Sequence, residues 1–249
     1  MSRRLASVVG LSIVLAILTM PVSAWEIQVI QLGFDLDSRR GELKTIKGAF
    51  TTVDPWFLQL VRFVRPPWPV SVGNQASGPA GSRPLNREYP VRWSPTSTWA
   101  YFAFTFPVLG TDLEEWTGTW TARVIVDGKE AGSSIFTLAK GDLVEGVSRY
   151  EKDVVANRNS FWAHYYLGAV LAQAGQGDAA IQHLQEASKI SKTSFWPWYT
   201  LGRLYQRTGK KEEARNAYSM VKGLLMGYDD PSLSRIFGEW AELHLRELE

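Results

Sequence analysis

Two hydrophobic periods divide this chain, and the change between them falls near residue 141. In the first part Ile30, Leu32, Phe34 and Leu36 alternate with Gln31, Gly33, Asp35 and Asp37, the period of two that marks a half-buried strand. Phe57 to Val64 reads as a second, more continuous strand. Ala100, Phe102, Phe104 and Phe106 line one face of a third, and Trp120, Ala122, Val124 and Val126 line one face of a fourth. Asp127-Gly128 is a hairpin signal, with Ile135 to Leu138 as the returning strand. Short strands with turn signals and no helical stretch predict an antiparallel β-sandwich over residues 25–140. Pro66 to Pro95 reads as a long loop, with Gly, Pro, Ser and Asn concentrated from Gly73 to Pro84. Arg83, Arg87 and Arg92 in or beside it make an anionic ligand conceivable, against the plainer reading of a solvated loop.

From Asp142 the period becomes helical, and the chain matches itself at a shift of 34 residues. Phe161-Trp162 aligns with Phe195-Trp196, Leu167-Gly168 with Leu201-Gly202, Gly175 with Gly209, and Ala180 with Ala214. Leu171 and Tyr205, then Leu184 and Tyr218, are large residues in register. This pattern resembles the tetratricopeptide repeat (TPR), whose helix–turn–helix unit has Leu-Gly in helix A, Gly at the turn and Ala early in helix B. The small residues let helices A and B approach, and the large ones fill the space between neighbouring repeats. His164 departs from the pattern where Trp is usual, and Lys192 and Met226 replace the usual helix-ending Pro. The resemblance implies full repeats over 161–194 and 195–228, within an all-α domain over 141–249. Flanking helices are expected over 142–156 and 231–248, the last opened by Asp230 and Pro231.

The end of the strand-rich part carries a second resemblance. Gly118-Thr119-Trp120, Val124, Val126, Asp127-Gly128-Lys129 and Phe136 are similar to the final hairpin of bacterial immunoglobulin-like exported domains. It implies an Ig-like sandwich and no ligand. The fold class is thus a multidomain α and β protein, an Ig-like β-sandwich followed by a TPR helical-hairpin array. Little linker separates the two, so a fixed arrangement is expected.

In tetratricopeptide proteins the helix A faces line a concave groove, and partner contacts recur at fixed positions. Carried onto this sequence, these are Trp162, Tyr165, Ala169, Ala172 and Gln173 in the first repeat. In the second they are Trp196, Tyr199, Arg203, Gln206 and Arg207. Trp, Tyr and Arg are the residues most often found as binding hot spots. Aromatic residues at helical spacing also build cores, and the β-domain or closing helix could equally fill so short a groove.

Arg3 and Arg4 precede an apolar run from Leu5 to Met20, and Val22-Ser23-Ala24 is a small-residue cleavage site. Residues 1–24 therefore read as a Sec signal peptide, with an uncleaved anchor as the other reading, and the chain is expected in the periplasm or secreted. Without this segment 25 basic and 25 acidic residues remain, which speaks against nucleic acid as a partner. No second segment approaches membrane length, so no stable membrane insertion is expected after cleavage. The chain has no cysteine, which removes zinc ribbons, redox motifs and thiol nucleophiles.

His164, His183 and His244 lie far apart in sequence without metal-ligand spacing, and no G-x-S-x-G, P-loop or G-x-G-x-x-G occurs. Asp35 with Asp37 is a weak calcium signal, and Glu114-Glu115 has no nameable partner for glycosidase chemistry, so both read as solvated turn residues. No cofactor or metal is expected. The sequence predicts a non-enzymatic exported adaptor or scaffold that binds another envelope protein through its groove. The alternative is carbohydrate or cell-wall binding by the sandwich, through Trp56, Trp68, Trp93 and Trp116.

Overall fold

The computed structural model describes residues 26–64, 70–92 and 99–249. The predicted signal segment, Trp68 and Trp93 lie outside these residues. Nine strands form: β1 (Glu26–Asp37), β2 (Glu42–Ile46), β3 (Ala49–Thr51), β4 (Trp56–Val64), β5 (Val70–Ser77), β6 (Leu85–Val91), β7 (Trp99–Pro107), β8 (Gly118–Val126) and β9 (Lys129–Ala139). One sheet runs β2-β1-β4-β7 and the other β3-β9-β8-β5-β6. All pairings are antiparallel except β3 with β9. The segment read as one long loop contains β5 and β6, so that expectation is corrected.

Alternation places one face of each sheet inward, and the core between them is aromatic. Phe57 stacks between Phe50 and Phe106, with ring centroids 3.9 and 4.7 Å away. Trp120 stacks on Phe136 at 5.9 Å, and both are buried. The β8–β9 hairpin turns at Asp127-Gly128, both with positive φ, and puts Trp120, Val124 and Val126 inside as the pattern required. The β1–β2 hairpin curls over the outer face of its own sheet, where Leu43 buries Leu58 and Leu60 in a second small core. Asp35, at φ 57°, marks the bend, and the Asp37 carboxylate accepts from the Arg39 and Arg40 N–H groups in the turn. Asp35 is exposed within β1 and Asp37 is that strand's last residue, so the pair expected in a turn belongs to the strand.

Six helices follow: α1 (Leu143–Ala156), α2 (Phe161–Gln173), α3 (Gly177–Ile190), α4 (Trp196–Arg207), α5 (Lys211–Leu225) and α6 (Pro231–Glu247). Asp142, Ser160 and Asp230 cap α1, α2 and α6 by accepting from first-turn N–H groups. The Leu-Gly pattern has a direct physical cause. A Cβ added at Gly168 would lie 2.7 Å from Leu184, and one at Gly202 would lie 2.7 Å from Tyr218. Only glycine lets α2 meet α3, and α4 meet α5, at this distance.

The two parts are joined along a broad seam. The Tyr150 hydroxyl and Arg149 guanidinium of α1 both donate to the Val53 carbonyl, each at 2.8 Å. α6 lies along the β6 edge, where Arg235 donates to the Asn86 carbonyl at 2.7 Å and Ser232 to the Glu88 carbonyl at 3.1 Å. Tyr89 donates across the same seam to Asp230, the α6 cap. One buried apolar cluster runs from the sandwich through Leu113 to Phe195, Tyr199, Phe237 and Trp240.

Candidate partner-binding groove

The helix A face does form a concave surface, and most of it is filled by the chain itself. The occupant is the loop from Val108 to Trp116 between β7 and β8, which contains a short 3-10 turn, Asp112–Glu115. Two kinds of contact hold it.

The first repeat grips backbone. Tyr165 donates to the Leu109 carbonyl at 3.0 Å, and Gln173 holds the neighbouring turn between β3 and β4 by donating to the Thr52 carbonyl at 2.8 Å. Thr200 of the second repeat adds a bond to the Gly110 carbonyl at 3.0 Å. Gly110, at φ 83°, fits closely: a Cβ there would lie 2.5 Å from the Tyr165 hydroxyl and 2.7 Å from that of Thr200.

The second repeat grips carboxylates. Arg203 Nε lies 3.0 Å from Asp112 Oδ1, Nη1 2.9 Å from Glu114 Oε2, and Nη2 2.7 Å from Glu115 Oε1. Tyr199 donates to Asp112 Oδ1 at 2.8 Å, and Arg83 reaches Asp112 Oδ2 at 3.0 Å. His244 of α6 completes the set, with Nε2 3.1 Å from Asp112 Oδ2 and Nδ1 3.2 Å from Glu247 Oε2. Its ring stacks on Tyr218 at 5.0 Å.

The electrostatics follow from this geometry. Burial by itself would raise the Asp112 carboxyl, but the His244 bond and the Arg203 charge outweigh it and hold the group below its ordinary value. Burial would weaken the Arg203 cation, yet Glu114 and Asp112 reverse that and hold it above the usual arginine range. Burial and the Asp112 charge push the Tyr199 phenol well up.

The predicted partner residues therefore have these places. Tyr165, Tyr199 and Arg203 are buried against the loop. Ala169 and Ala172 are buried as well, and Gln173 is bonded to Thr52. Gln206 accepts from Tyr218 and donates to Glu247, and Arg207 donates to the Ala172 carbonyl. Trp196 is half-buried against Phe195 and Phe237. Of these residues Trp162 and Arg207 are exposed, Trp162 at 48%, where it stacks on Tyr166. The groove expected to lie open to a partner holds the chain's own loop instead, with the loop's acids paired to Arg203.

Other expectations change with it. Glu114 is buried against Arg203, so Glu114-Glu115 is not a solvated pair. Arg83 is spent on Asp112, and Arg87 is buried beneath β7, donating to the Thr105 carbonyl. Burial lowers the Arg87 guanidinium to about 10. Arg92 is exposed. His164 and His183, apart in sequence, meet with their Nδ1 atoms 3.0 Å apart, while His164 Nε2 faces the Arg158 carbonyl. Trp116 packs edge-on against Trp240, and Trp56 is half-buried beside Phe34. Sequence reasoning missed Asp112, Thr200 and His244 as groove residues. The available signal was charge: an acidic turn around the apolar Leu113, set against the groove cation Arg203.

Among the described residues no group of three or more His, Cys, Asp or Glu is placed to hold a metal ion. No helix among them is long and apolar enough to cross a membrane.

The tetratricopeptide repeat family model matches residues 138–223, so the helical part is a TPR array behind a β-domain. No curated protein matches the chain. Among solved structures, the Yersinia enterocolitica type III secretion translocator chaperone SycD is similar at 15% identity, over 43% of this chain and 78% of that one, with a TM-score of 0.40. PcrH, in complex with the chaperone binding region of PopD, is 11% identical over 43% of this chain and 81% of that one, with a TM-score of 0.40. MamA is 22% identical over 43% of this chain and 66% of that one, with a TM-score of 0.33.

Proposed function

We propose that this protein is a non-enzymatic interaction scaffold of the cell envelope, exported by its N-terminal segment. In this reading the TPR array binds another envelope protein, and the β-domain is its fixed support. Repeat arrays offer extended surfaces with no chemistry of their own. The observation that carries the reading is Trp162. It is the aromatic groove position that the internal loop leaves exposed, and it sits in an aromatic cluster with Phe161, Tyr165 and Tyr166. A half-exposed Trp on a rigid aromatic bed is a binding anchor that costs little ordering on association. The buried groove residues then position this rim.

The test is capture of a partner from intact cells by crosslinking, with the parent chain beside Trp162→Ala. Circular dichroism of the variant should match the parent, since Trp162 supports no core. A protein captured by the parent and lost with Trp162→Ala would place the contact on the rim. Equal capture by both would remove the rim from the function.

A further inference from the structure

Among the described residues four buried side-chain nitrogen or oxygen atoms have no hydrogen-bond partner, and three of them belong to one pair. These are Asn74 Oδ1, Arg87 Nε and Arg87 Nη2. Asn74 of β5 and Arg87 of β6 stand directly opposite each other in the antiparallel ladder. Both point between the sheets, Asn74 fully buried and Arg87 at 4% exposure. Polar groups at such depth give up their hydration, and a fold keeps them there only when something in the interior takes its place.

The surrounding bonds fix which of these atoms donate. The Ala122 carbonyl can only accept, so the Gln59 atom 3.0 Å from it is the amide nitrogen, which also donates to Ser134 Oγ at 2.8 Å. Gln59 Oε1 is then an acceptor, and the Asn74 atom that meets it is Nδ2. Asn74 Oδ1 is therefore an acceptor whose orientation the network has already set. On the other side Arg87 Nη1 donates to the Thr105 carbonyl, and the guanidinium lies over the Phe104 and Phe106 rings, 5.6 and 4.8 Å from their centroids. Tyr89, the next inward residue of β6, gives its hydroxyl proton to Asp230. A polar belt thus crosses the aromatic core from Ser134 to Thr105, in two halves that end on Asn74 Oδ1 and on the Arg87 N–H groups.

We propose that one internal water molecule joins the two halves, accepting from Arg87 Nε and Nη2 and donating to Asn74 Oδ1. Buried waters typically make about three hydrogen bonds to groups of this kind. The two guanidinium donors by themselves would suit a small anion equally well. The Asn74 oxygen decides against one, because it turns lone pairs toward the same point and an anion has no proton to give. The water steadies the arginine that ties β6 to the end of β7, and the loop that fills the groove begins shortly after Thr105.

The test is a crystal structure of the full-length protein, grown with bromide as the halide and measured at the bromine absorption edge. The expected result is a density peak without anomalous signal, within about 2.7–3.2 Å of all three atoms. An anomalous peak at that point identifies a halide and overturns the proposal. No peak there overturns it too, whether or not Arg87 has swung onto Asn74 to bond it directly.

Discussion

The two repeats share one helical frame and hold the same loop by different chemistry. At equivalent groove positions the first repeat has Tyr165, Ala169 and Gln173, and the second has Tyr199, Arg203 and Arg207. In the first, Tyr165 donates to a main-chain carbonyl of that loop, while Gln173 holds the separate Thr52 turn through its carbonyl and its hydroxyl. In the second, Tyr199 and Arg203 bind carboxylates, so they read sequence. The exchange of Ala169 for Arg203 carries most of this difference. One repeat fixes where the β-domain loop runs, and the other demands that it be acidic.

The largest blow to this division should come from Arg203→Ala. It leaves Glu114 buried without its cation and Asp112 with Arg83 and His244 alone, at a cost of about 3–5 kcal/mol. A denaturant midpoint measures the loss, while Ala169→Ser, at the equivalent position, should shift it far less. Next comes Gly110→Ala, which meets Tyr165 and Thr200 and forces a left-handed conformation on alanine, together costing ~1–3 kcal/mol. Gly128→Ala is its control, since φ is also positive there but nothing lies within 4 Å of the added Cβ. A larger loss at Gly110 isolates the groove contact from turn strain.

A finer test compares two hydroxyls. Tyr199→Phe removes a bond to a charged acceptor and should cost about 1.5–3 kcal/mol, whereas Tyr165→Phe removes a neutral bond worth about 1 kcal/mol. Equal losses would erase the distinction between the repeats.

The smallest effect is a dependence on pH. Burial and the neighbouring His164 lower the His183 imidazole, so its neutral form is favoured in the folded chain. Its contribution is complete above the ordinary histidine value, about 6.5, and is lost as pH falls from there through the lowered value. His183→Gln should flatten this acid slope in thermal melts. Asp112 acts further down: its contribution is complete above about pH 4 and disappears as pH falls through its lowered value. The first slope belongs to the α2–α3 pair and the second to the carboxylate grip, so the two repeats should separate along the pH axis.

The helices were legible because a repeated unit states its packing twice. The Leu-Gly pairs, the turn glycines and the Asp230-Pro231 start each name a local requirement that the structure meets. β5 and β6 were hidden for a specific reason. Their inward positions include Asn74 and Arg87, both buried, so the period of two lacks its apolar half. β2 and β3 are too short to show a period at all. The groove face was legible from repeat register, but its occupant was not. The loop from Val108 to Glu115 has no periodicity, and which surface an irregular segment covers is decided by the path of the strands that carry it.

The separation between the loop and its receptors also bears on how the molecule is made. Asp112 lies 87 residues before Tyr199 and 132 before His244. A polypeptide synthesised from its N-terminus completes β9 while the acidic turn still has no cation from the helices. The set around Asp112 closes only when α6 exists. A chain cut short before that helix lacks the His244 bond to Asp112, and one cut before α4 lacks Tyr199 and Arg203 as well. The buried grip is thus complete only in a chain that carries both α4 and α6.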